Sequence, residues 1–122
     1  MRTRSFGIAA VAALGVLMAS APVPAQDAAA VNPKTIKVKA DNDRVRLFEA
    51  TLAPGEKEQM HSHPASLVYV IAGGKMRSHA PDGTTTDHTY TTGEAVYREP
   101  LTHWAENVGT TTVRLIVVEL KK

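Results

Sequence analysis

The feature that most limits how this chain folds is its punctuation. Past residue 34, turn residues recur every few positions and leave room only for short segments. Residues 35–39 alternate apolar and charged side chains, the pattern of a half-exposed strand. Residues 44–52 form a second β-type run, closed by Pro54 and Gly55 in the order a type II turn requires. The apolar run 67–71 stops at Gly73 and Gly74. Residues 75–79 and 85–91 flank Asp82-Gly83, a hairpin signal. Residues 95–98 and 111–120 complete the series, and no long stretch carries helical periodicity. About eight short strands with turns between them predict an all-β sandwich or barrel. A jelly-roll barrel is a natural solution because it shelters most strand edges.

The start of the chain reads differently. Arg2 and Arg4 precede an apolar run over residues 6–19, and small residues and prolines follow to Ala25. A basic start, a short apolar centre and a Val-x-Ala exit describe a secretory signal peptide over residues 1–25, cleaved after Ala25. The run is about 14 residues, short of the roughly 20 that span a bilayer. The expected location is therefore periplasmic or secreted, with no membrane attachment after cleavage. Residues 26–33 read as a linker ending at Pro33, and residues 34–122 as the barrel domain. Charge enters here. The chain has 14 basic and 12 acidic residues, and the leader takes two arginines with it, leaving 12 of each. A neutral mature chain gives no support for nucleic-acid binding. With no cysteine, stability comes from the core, a metal or an oligomer.

Five histidines carry the chemistry, at 61, 63, 79, 88 and 103. In a strand, alternate residues face one side, so His61 and His63 point together. A third imidazole from a distant strand, His103, completes a facial set for zinc, copper, iron or nickel and leaves positions open. The same parity turns Gln59, Leu67 and Tyr69 inward. Gln59 then becomes a candidate fourth ligand or a partner of a ligand, and Leu67 and Tyr69 candidate pocket-lining residues. Asn107 shares parity with His103 and is a further pocket candidate. Trp104 points to the other side. His79 and His88 flank the hairpin and read as surface residues; Arg77 and Arg98 could hold an anionic substrate, with a solvated strand face as the default reading. A neutral imidazole is the ligand, so metal affinity is expected to fall below about pH 6.5.

Residues 55–74 resemble the first cupin motif: Gly55, then His61-x-His63, then Gly74 at the far end. Residues 93–107 resemble the second, with Pro100, His103 and Asn107 in place, although the spacing from Gly93 to His103 is one residue short and the motif's second glycine is absent. The resemblance implies a small single-domain, type-2 cupin-like jelly roll holding one divalent metal, with iron first and manganese, zinc, copper or nickel as alternatives. The glutamate ligand of the first motif is missing; Leu67 and Val68 stand at its candidate positions. Three-histidine iron sites occur among cupin-like thiol dioxygenases, which implies a dioxygenase-type oxidoreductase acting on a small molecule. The alternative is a non-catalytic module for a small ligand or metal. Such barrels often dimerise, and Val68, Val70, Val113 and Leu115 offer apolar rows for a homodimer.

Overall fold

The computed structural model describes residues 26–122, so the expected signal peptide lies outside the described residues. Helix α1 (Ala28–Val31) is followed by nine strands: β1 (Ile36–Asp41), β2 (Val45–Leu52), β3 (His61–His63), β4 (Ser66–Ala72), β5 (Gly74–His79), β6 (Thr85–Tyr90), β7 (Ala95–Arg98), β8 (Leu101–Asn107) and β9 (Val113–Leu120). They form two antiparallel sheets, ordered β1-β2-β9-β4-β7 and β3-β8-β5-β6. This is the expected jelly roll, with one strand more than anticipated. Turn chemistry sets its corners. Gly55 and Gly83 sit at φ +82° and +88°, conformations that cost a side-chain-bearing residue but not glycine. Among the described residues, no helix is long and apolar enough to cross a membrane.

Strand alternation fills the space between the sheets. Phe48, Ala50 and Leu52 of β2 face Val113, Leu115 and Val117 of β9, and Val68 and Val70 of β4 join them. The valines and leucine expected to pair two copies are therefore spent inside the core. Among the described residues, the large apolar side chains left outside are Val38, Leu67, Tyr69 and Tyr97, about half exposed.

Two stretches depart from the sequence reading, and both shape the site. The first is residues 64–65. β3 belongs to the four-stranded sheet and β4 to the five-stranded one, so the chain changes sheets at Pro64-Ala65. Proline cannot donate to a ladder, and the alternation restarts beyond it. Ser66, Val68 and Val70 face inward; Leu67 and Tyr69 face out. The second is residues 26–33, read as a linker. They instead dock on the barrel. Asp27 caps α1 by accepting from the Ala30 N–H at 2.9 Å, Ala28 is fully buried, and the Ser62 N–H donates to the Gln26 carbonyl at 2.8 Å.

Candidate metal centre

The site is built on one short strand pair. β3 runs antiparallel to β8, with His61 opposite His103 and His63 opposite Leu101. Period-two alternation turns His61 and His63 to the same inner face. Ser62, between them, points out and meets Thr102 Oγ1 at 2.6 Å. All three imidazoles are buried, and one nitrogen from each lies within 4.8 Å of the others. Their ring centroids are 4.6, 4.8 and 5.3 Å apart.

Each ring has one nitrogen already committed. His61 Nδ1 donates to the Gln59 carbonyl at 2.6 Å. Asn32 packs beside it, its amide oxygen fixed by the Gln59 N–H at 2.6 Å. His63 Nδ1 donates to Glu119 Oε2 at 2.8 Å, and His103 Nδ1 shares a hydrogen bond with Ser78 Oγ at 2.6 Å. A ring holding its proton on Nδ1 presents the Nε2 lone pair, and outer partners of this kind fix the tautomer and orientation of metal-binding histidines. Glu119 is anchored in turn by Arg46, 2.8 Å from Nε and 2.6 Å from Nη2, and Arg46 continues to Asp27 at 2.6 Å. Burial pushes the Glu119 carboxyl up, but the hydrogen bonds from His63 and Arg46 more than offset this and hold it below the usual carboxylate range.

Electrostatics keep two of the rings neutral. Desolvation, then the neighbouring His63 and Arg98, lower His61 to about 4 against the opposing Gln59 carbonyl. Desolvation, then His61, His63 and Arg98, lower His103 to about 2. Protons therefore begin to compete for these two nitrogens near pH 4 and below. The loss of affinity expected below pH 6.5 from an ordinary imidazole does not begin there for His61 and His103. Three buried, oriented imidazoles suit a divalent transition metal.

Beside the histidines opens a cavity of about 260 Å³, walled in part by His63 and His103. Phe48, Leu52, Val96, Leu115 and Val117 make most of its surface apolar. Glu58 and Arg98 supply polar groups. Desolvation raises the Glu58 carboxyl to about 7, against the pull of Arg98.

The sequence profile described as "Cupin domain" matches residues 48–119. The chain belongs to the cupin family. No curated protein matches it. A cupin domain from Bordetella pertussis Tohama I is similar, at TM-score 0.65 and 26% identity over 71% of this chain and 92% of that one. An RmlC-like cupin family protein with a double-stranded β-helix fold, from Methanocaldococcus jannaschii, aligns at TM-score 0.56 and 22% identity over 72% and 82% of the two chains. A predicted oxalate decarboxylase from Thermotoga maritima aligns at TM-score 0.50 and 20% identity over 66% and 70%. The last two likenesses reach the fold alone.

The motif residues of this cupin divide by role. At Gly74 an added Cβ would lie 2.7 Å from Thr111 Oγ1 and 2.8 Å from Val113 Cγ2, so a side chain has no room. Asn107 is buried but does not line the cavity. Its amide donates to the Leu52 and Thr111 carbonyls at 2.8 Å and accepts from the Gly109 N–H at 3.0 Å, tying the end of β8 to its neighbours. Leu67 and Tyr69, expected to line the pocket, lie on the outer face at 49% and 51% exposure, because the sheet change at Pro64 resets the parity. The Gln59 side chain is exposed and offers no fourth ligand; its backbone carbonyl is what acts on His61. Neither candidate for the motif's missing glutamate serves, since Leu67 is outside and Val68 is in the core. Asn32, Ser78, Glu119 and Glu58 were not anticipated. Parity hinted at two of them: Ser78 shares a face with Met76, and Glu119 with Val117, both buried.

Proposed function

We propose that this cupin holds one divalent metal ion through His61, His63 and His103 and works outside the cytoplasm as a metal-dependent oxidoreductase of the dioxygenase type on a small molecule. The observation that carries the reading is the commitment of all three Nδ1 atoms to protein partners, which leaves three convergent nitrogens beside a cavity. Iron is the metal proposed first, with manganese, zinc, copper and nickel compatible with the same donors. When bound, the metal supplies open positions where substrate and dioxygen meet.

The chain's own residues do the rest. Asn32, Gln59, Glu119 and Ser78 keep the imidazoles oriented, so little reorganisation accompanies binding. The apolar wall excludes water from the reacting molecule. Glu58, raised to about 7, is suited to hold or release a proton at that wall near neutral pH. A second reading is a binding module without turnover. It is favoured by the lack of a carboxylate among the clustered ligands.

The test begins with elemental analysis of the untagged protein from residue 26, beside His61→Ala and His103→Ala. About one metal equivalent per chain, lost in both variants, is expected; a metal-free protein after reconstitution overturns the centre. Metal-dependent oxygen uptake with a substrate then separates enzyme from module. Cell fractionation tests export: recovery of full-length chain in the cytoplasm alone overturns it.

A further inference from the structure

Arg98 stands apart from the other charges around the cavity. Val96 and Arg98 share the inward face of β7 and both line the cavity, whereas Tyr97 between them is 54% exposed. Arg77, which lines the cavity from the other sheet, is paired with Asp87 at 2.7 Å. Among the described residues Arg98 makes no ion pair, and its Nε is buried without a hydrogen-bond partner. Leaving a buried donor of a charged group without a partner is costly. Its cross-strand neighbour Ser66 also has a buried polar atom, Oγ, with no partner.

Arg98 lines the same cavity as His63 and His103 of the proposed metal centre. It also pulls on Glu58, but that carboxyl, raised to about 7, is only partly ionised at neutral pH and neutralises Arg98 incompletely. A cation held by the histidines and an unpaired arginine beside it repel each other. An anion placed between them relieves both, and a guanidinium fork matches a carboxylate in geometry. Most of the remaining wall is apolar, with Ser78, Thr86 and His88 among its polar members, and the cavity measures about 260 Å³.

We propose that Arg98 is the carboxylate-binding residue of this cavity, and that its ligand is a small monocarboxylate with an apolar body, the head held between Arg98 and the three-histidine centre. The inference deepens the function proposed above and rests on it for the metal's position; Arg98's own part is measurable without metal.

The test is calorimetric titration of benzoate and hexanoate, with benzamide and hexanamide as neutral counterparts, into metal-free and zinc-loaded protein. At least one carboxylate is expected to bind about tenfold or more tightly than its amide, in both forms. Arg98→Gln is expected to abolish that preference while keeping its metal content, and Arg98→Lys to retain part of it. Loss of metal from the native protein, with the preference intact in the metal-free form, would sink the metal reading alone. Equal binding of acid and amide, binding of neither at millimolar concentration, or a preference unchanged in Arg98→Gln overturns the assignment. Should Arg98→Gln not fold, judged by circular dichroism, the native preference and the Arg98→Lys titration decide.

Discussion

The two faces of the four-stranded sheet hold histidine in opposite circumstances. Inside, His61, His63 and His103 are buried, mutually close, and each tied at Nδ1 to a group that leaves the other nitrogen free. Outside, His79 stacks flat on Trp104 at 3.5 Å and spends Nε2 on Glu106 at 2.7 Å. His88, which lines the cavity from β6, is half exposed all the same and lies 3.7 Å from Glu94. Side-chain identity does not make a ligand. What differs is which nitrogen the protein consumes and whether water can reach the ring.

The comparison can be broken most decisively at the ligands. His61→Ala or His103→Ala is expected to take metal content from about one equivalent to near zero, read by elemental analysis, while His79→Ala leaves it unchanged. A large metal loss in His79→Ala would mean that the outer face also holds metal. Next come the orienting groups. Glu119→Gln keeps an acceptor for His63 but removes the charge, and is expected to weaken metal binding about 10- to 100-fold in a competition titration. Glu106→Gln, the matching change outside, is expected to do nothing to affinity.

Acid sensitivity sharpens the contrast further. In the unfolded chain an imidazole takes a proton near pH 6.5, but in the folded metal-free protein His61 waits until about 4 and His103 until about 2. The unfolded state therefore binds more protons below 6.5, and stability falls as pH drops from there towards 4. Glu119, held low when folded, loses its contribution in the same direction. Glu58 has the reverse sign. Its folded value near 7 exceeds the unfolded one, so its contribution is full at low pH and disappears as pH rises through 7. Glu58→Gln in metal-free protein is thus expected to raise Tm at pH 8 and leave it nearly unchanged at pH 4; an equal shift at both values would remove burial as the cause. The smallest effect expected is on stability in His79→Ala, about 1 kcal/mol from the lost stacking, read by chemical denaturation.

The barrel was legible because its strands are amphipathic or fully apolar and its turns carry Gly, Pro and Asp at the positions that need them. β8 was harder, since His103 and Asn107 replace apolar residues on its inner face and hide the alternation. The cluster of three histidines was legible because two members lie in one strand and the third sits in a matching motif. Gln59 was placed by side chain when its carbonyl does the work, and backbone roles leave no mark on residue type. Leu67 and Tyr69 were misplaced by carrying parity across Pro64, where the chain changes sheets. Glu58 gained meaning only when packing closed a cavity around it, and packing is also what separates Arg98, inside that cavity, from Arg77, paired with Asp87.

The docking of α1 has a practical consequence for anyone handling the protein. The Gln26 carbonyl holds the Ser62 backbone between two ligands, Asp27 closes the relay through Arg46 to Glu119, and Asn32 braces His61. Loss of residues 26–28, as a conveniently chosen cloning boundary would cause, removes support from the histidines some thirty-five positions away. Expression designs that begin at the first strand would discard part of the site while keeping the whole barrel.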